Sequence, residues 1–130
     1  MKWANLTGWR LPIYSDPKYK PYYVLTPLQI EIEEKIEDSK LLLLPNGTSL
    51  VPIVKKKTRI LVSNKPLEEY IKEYCPDICV LNPLHALELL ISGELPSYNV
   101  TFLVPDFSLN SIVEDDKGIR GFRRFIILKE

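Results

Sequence analysis

The chain has only two cysteines, one histidine, one glutamine and five glycines in 130 residues. Cys75 and Cys79 are spaced C-x3-C, which is not the C-x2-C of zinc ribbons or thioredoxin-like motifs. With His85 the only histidine, no four-ligand structural zinc site can be assembled. The two cysteines read as small, mostly buried apolar residues around a helix end, with a disulfide across Pro76 as the alternative. The glycines supply no G-x-G-x-x-G, no P-loop and no G-x-S-x-G elbow. A single histidine anchors no H-E-x-x-H site. No metal site is therefore expected, and no cofactor is indicated.

Long apolar runs are missing too. None approaches the roughly 18 residues of a membrane span, and MKWANLTGWR carries no apolar stretch of signal-peptide length. A cytoplasmic protein is expected, and the N-x-T sequons at Asn5, Asn46 and Asn99 read as chance. Neither sign of charge dominates: 17 basic and 17 acidic residues give zero net charge. That excludes a uniformly basic nucleic-acid coat and an acidic tail. An apolar content of 45% excludes a low-hydrophobicity disordered chain.

What is present fits one domain spanning 1–130. Abundant Lys, Glu, Ile, Leu and Tyr, with 11 prolines against 5 glycines, is the composition expected in heat-loving organisms. Residues 1–25 form an arm in which Trp3, Trp9, Tyr14, Tyr19, Tyr22 and Tyr23 alternate with Pro12, Pro17 and Pro21. The prolines favour extended backbone. So aromatic an arm must cover its own domain or meet a protein partner, including a second copy in a homo-oligomer.

Thr26-Pro27-Leu28-Gln29 has the capping-box pattern, and Leu28, Ile32 and Ile36 recur every four residues. This predicts a helix ending near Asp38, although QIEIE also alternates like a strand. Residues 41–54 predict a hairpin turning at Asn46-Gly47, with Pro52 placing its second arm at a sheet edge.

Residues 58–106 then alternate strand (58–63), helix from Asn64-Lys65-Pro66, strand (78–81), helix from Asn82-Pro83, and strand (99–104). The expected fold is α/β: a small three-layer domain on a parallel β-α-β-α-β core at 58–106, with the added hairpin and a C-terminal strand. Residues 106–119 read as a loop. In it Glu114, Asp115 and Asp116 form a solvated acidic stretch rather than a Mg2+ or Ca2+ site. FRRFIIL (122–128) reads as a last strand, antiparallel or at an edge.

In an open parallel sheet, ligands bind beyond the carboxyl ends of the strands, where helix N-termini point. That places Ser63, Asn64, Asn82, His85 and Asp106 on one edge as a candidate site for a polar or anionic, nucleotide-like ligand. Helix capping accounts for Asn64 and Asn82 equally well. A Ser63/His85/Asp106 triad can be written down, but no spacing specifies it. Three functions follow. The first is a binding or regulatory module acting through protein contacts, with or without a ligand at that edge. The second is a small nuclease or phosphohydrolase using His85 and Asp106. The third is a nucleic-acid binder using Lys55, Lys56, Lys57, Arg120, Arg123 and Arg124, with Phe122 and Phe125 interleaved.

Overall fold

The computed structural model describes residues 1–15, 21–96 and 99–130, so Pro17 and Tyr19 of the arm lie outside the described residues. In chain order the elements are β1 (Trp3–Leu6), β2 (Leu11–Ile13), β3 (Tyr23–Leu25), β4 (Ile30–Leu43), β5 (Leu50–Val62), β6 (Lys65–Pro66), α1 (Leu67–Tyr74), β7 (Ile78–Leu81), α2 (Pro83–Ser92), β8 (Thr101–Pro105), β9 (Ile112–Asp115), β10 (Gly118–Phe122) and β11 (Phe125–Lys129). The fold is mixed α/β and rich in strand.

The central sheet has the order β1-β7-β8-β11. β1, β7 and β8 run parallel, and β11 closes the edge antiparallel to β8. Side chains alternate across a strand, and this sheet uses both of its faces. Ala4, Leu6, Cys79, Leu81, Phe102 and Val104 point to one face, where Leu67 and Ile71 of α1, Ala86 and Leu89 of α2, and Ile60 and Val62 of β5 cover them. Val80 and Leu103 point to the other, against Leu11, Leu25 and Phe122 of a second sheet, β3-β2-β10-β9. Apolar residues at successive positions in ICVL and TFLV are thus explained by burial on both sides.

The 58–63 stretch is not a strand of this parallel sheet. It is the base of β5, which pairs with β4 and β6 in a separate three-stranded sheet. The third parallel strand is β1, drawn from the aromatic arm and paired with β7 from Trp3↔Ile78 to Leu6↔Leu81. The helix expected from Thr26 to Asp38 does not form. Pro27 instead bridges to Asn5, and β4 runs as strand from Ile30. The 41–54 hairpin is the far end of a much longer one.

α1 begins after Pro66 without a side-chain cap, so Asn64 is not its N-cap. Asn82 does cap α2, accepting from the Leu84 N–H at 3.0 Å, and Gly93 ends that helix at φ 69°. The expected loop at 106–119 contains β9 and the start of β10. Arg123 and Arg124 occupy a bend between β10 and β11 rather than one continuous strand. Both cysteines are free thiols. No helix of the described residues is long and apolar enough to cross a membrane.

Candidate functional site

Among the described residues, two places bear most on function. The first is the carboxyl edge of the parallel strands. Leu6 pairs with Leu81, and Val80 with Leu103, so Thr7, Asn82 and Asp106 follow the ends of three neighbouring strands. Their side-chain oxygens are already engaged. Asn82 Oδ1 caps α2. Asp106 is buried, its Oδ1 accepting from the Ser108 N–H at 2.9 Å and its Oδ2 from the Arg124 guanidinium. The Ser108 amide, followed by Arg124, holds the Asp106 carboxyl below the usual carboxylate range. Arg124 also donates to Ser108 Oγ at 3.1 Å, and its backbone N–H donates to Ser111 Oγ at 3.2 Å. Asp106 therefore sits in a knot tying the loop after β8 to the β10–β11 bend.

No hydrogen bond or ion pair between His85 and Asp106 is found among the described residues. His85 lies in the first turn of α2, and its Nδ1 is buried with no hydrogen-bond partner among the described residues. Ser63 and Asn64 are not at this edge as strand-end residues. They form the tight β5–β6 turn, with φ of 50° and 68°, and the Ser63 N–H donates to Gln29 O at 3.0 Å. Of the five proposed ligand residues, Asn82 and Asp106 share the edge by strand register.

The basic clusters are largely paired. Lys56 reaches Glu34 at 3.1 Å and Glu88 at 2.8 Å, and Lys57 reaches Glu94 at 3.2 Å. Arg120 lies 3.6 Å from Asp115 and 5.6 Å from the centre of the Tyr14 ring, and Arg124 is held by Asp106. Lys55 and Arg123 are exposed. Among the described residues no cluster of His, Cys, Asp or Glu is arranged to hold a metal ion.

The second place is the β4–β5 hairpin. Residues 33–43 of β4 are all exposed, and beyond Lys56, which is bonded to α2, six further residue pairs carry the ribbon roughly 20 Å outward at about 3.3 Å per residue. Its stalk is braced by cross-strand ion pairs, Arg59–Glu33 at 3.1 Å and Lys56–Glu34. Its tip, LLLLPNGTSLVPIV at 41–54, carries no charge, and eight of its 14 residues are Leu, Ile or Val. The turn closes through Gly47 N–H to Leu44 O at 2.9 Å, with Gly47 at φ 76°, while Asn46 Oδ1 accepts from Thr48 and Ser49.

Directly paired residues share a face. Leu43–Leu50, Leu41–Pro52 and Ser39–Val54 therefore lie on one side, and Leu42–Val51 and Lys40–Ile53 on the other. Leu41, Leu42, Leu43, Leu50, Ile53 and Val54 are between 45% and 67% exposed, so both faces show apolar surface to solvent. An isolated two-stranded ribbon is marginal in water, and an exposed apolar patch of this kind marks an interaction surface.

Helix α2 repeats the theme. Ala86 and Leu89 are buried, whereas Leu84, Leu87 and Ile91, at i, i+3 and i+7, expose 72%, 57% and 75% on the opposite side. A helix in which only His85, Glu88 and Ser92 are polar normally has more of its surface covered. A groove of about 470 Å³ separates the two surfaces, with Val54 on one wall, Ile91 on the other, and Lys56, Thr58, Glu88 and Ser92 between. The leucines of the tip and of outer α2 went unrecognised as functional in the sequence. The available signals were the uncharged run at 41–54, flanked by charges on both sides, and a helix whose polar residues are only His85, Glu88 and Ser92. Comparison with protein-family models, with curated proteins and with solved structures finds no match for this chain.

Proposed function

We propose that the chain is a binding module acting through protein contacts, with the β4–β5 hairpin as its docking arm. One observation carries this reading: an uncharged aliphatic tip, exposed on both faces, stands clear of the core on a stalk braced by ion pairs. Burying one such leucine contributes about 1.5–3 kcal/mol, so a partner that encloses several gains substantially.

The other readings draw less support. A strand-edge ligand would have to displace the internal hydrogen bonds of Asn82 and Asp106. An enzyme using His85 and Asp106 together would need a carboxylate that is already held by Ser108 and Arg124. The carboxylates on Lys56, Lys57, Arg120 and Arg124 weaken the case for a nucleic-acid surface, because contact with phosphates would have to break those pairs. Tyr22 and Tyr23 of the arm are 75% and 64% exposed and remain a secondary contact surface.

The test is a photoactivatable cross-linker placed at Leu43 and, as a control, at exposed Lys117, in native extracts. The expected result is a discrete protein adduct from position 43 and none from 117. Adducts to lipid alone, or none from either position, would contradict the reading.

A further inference from the structure

The hairpin tip and the outer face of α2 are two uncovered apolar surfaces on one chain, on either side of one groove. Alternation along β5 fixes which side of the hairpin looks into it. Thr58, Ile60 and Val62 are buried toward the body, and Lys56 reaches Glu88 of α2. Pro52, Val54 and Leu50 continue the same side outward, and their partners Leu41 and Leu43 join them. The inner face of the tip is thus aliphatic, and its Val54 shares a groove with Ile91 of α2. A chain shaped in this way offers a projecting finger and an apolar shelf, with the Lys56–Glu88 ion pair between them.

We infer that the partner of the docking arm is a second copy of this chain: the inner face of each hairpin tip seats on Leu84, Leu87 and Ile91 of the other copy, in a twofold dimer. This rests on the reading of the hairpin as a docking arm. A twofold interface must be self-complementary, and a finger and a shelf on the same molecule satisfy that condition reciprocally. The area is of the right order. From the fractional exposures, the inner face of the tip (Leu41, Leu43, Leu50 and Val54) and the α2 face together present roughly 750 Å² of surface per chain, close to the about 800 Å² per partner of a standard interface. A lipid surface would take up the tip and leave α2 unexplained. Zero net charge removes the long-range repulsion that keeps like chains apart.

The experiment is sedimentation equilibrium on the full chain and on two charged variants, Leu43→Lys at the tip and Leu87→Lys on α2, with folding checked by circular dichroism. Both residues are more than half exposed, so each variant should fold as a monomer. The wild type is expected at twice the chain mass. Each variant alone should raise the dimer dissociation constant by about 100-fold or more, since a twofold dimer carries each lesion twice. An equimolar mixture of the two variants should recover mixed dimers, because the intact tip of one still meets the intact α2 of the other.

A dimer in which the mixture recovers nothing, or in which Leu87→Lys has no effect, overturns the reciprocal arrangement. A wild type that stays monomeric up to millimolar concentration overturns the inference. If the cross-linker at position 43 then still captures another protein in extracts, the docking-arm reading survives its loss. If the monomer instead floats with phosphatidylcholine–phosphatidylserine vesicles and captures no protein, both are wrong.

Discussion

Lys56 fixes the hairpin to the body: its Nζ lies 2.8 Å from Glu88 Oε1 on α2, two residues before the Thr58 N–H donates to Ser92 Oγ at 3.1 Å. These bonds set the angle at which the stalk leaves the core, and so the width of the groove between Val54 and Ile91. Lys56 holds the Glu88 carboxyl below the usual carboxylate range. A lowered folded-state pKa gives stability that is present above the ordinary value of 4.5 and is lost as pH falls through the lowered one. Glu88→Gln should therefore lower the urea midpoint at pH 7. The gap from wild type should close as the solution is acidified below pH 4.5. A gap that widens on acidification would contradict this role.

Gly121 of β10 lets β2 come close. A Cβ at that position would sit 2.3 Å from Pro12 O and 2.6 Å from the Tyr14 ring, and backbone cannot give way as a side-chain end can. Its backbone angle is not the difficulty; the space is. Gly121→Ala should cost about 3 kcal/mol or more, at the upper end of overpacking effects. Thermal and urea denaturation of this variant check it.

The two thiols should behave differently. Cys79 is fully buried on the helix-facing side of the sheet, and burial pushes its pKa up to about 12. Cys75 is exposed, at the left-handed end of α1. Because the thiolate is the reactive form, iodoacetamide at pH 8 should label Cys75 in the native chain and Cys79 only after unfolding. Mass spectrometry of the labelled protein reads the order directly.

Position 75 also carries backbone strain, with a non-glycine residue at φ 47°. Cys75→Gly should stabilise the fold by roughly 1 kcal/mol, since glycine adopts that conformation without the Cβ clash. Asn82→Ala should act in the opposite sense, removing the cap of α2 at a cost of about 1 kcal/mol. Denaturant titrations of the two variants give both values.

Strand and helix were legible where local pattern and burial agree. ICVL, TFLV and the Asn82–Gly93 helix could be read because their apolar runs, cap and stop all point to one structure. Residues 26–38 could not, because a spacing of four at Leu28, Ile32 and Ile36 is about one helical turn and also two strand repeats. Ile30, on the same alternation, belongs to the strand alone. β1 was hidden because its partner, β7, lies some 75 residues away in the chain, from Trp3 to Ile78, and nothing local marks so short a strand as central.

The same gap limited the reading of the candidate site. The shared edge of Asn82 and Asp106 followed from β7 and β8, whereas Ser63 depended on which sheet β5 joins. The Asp106–Arg124 contact joins residues on two sides of a hairpin that the sequence presents as loop. The uncharged stretch 41–54 is visible in the sequence, but its exposure depends on how far the ribbon reaches past the core, a length set by the pairing of residues 33–40 with the far strand.

Amide hydrogen exchange along residues 41–54, measured across a dilution series, tests most directly whether a second copy covers the hairpin tip. The prediction is protection of tip amides at high concentration that falls away on dilution, together with that of the α2 segment around Leu87, while the central-sheet amides of β7 and β8 stay protected throughout. Tip amides that exchange at unfolded-chain rates at every concentration would contradict it.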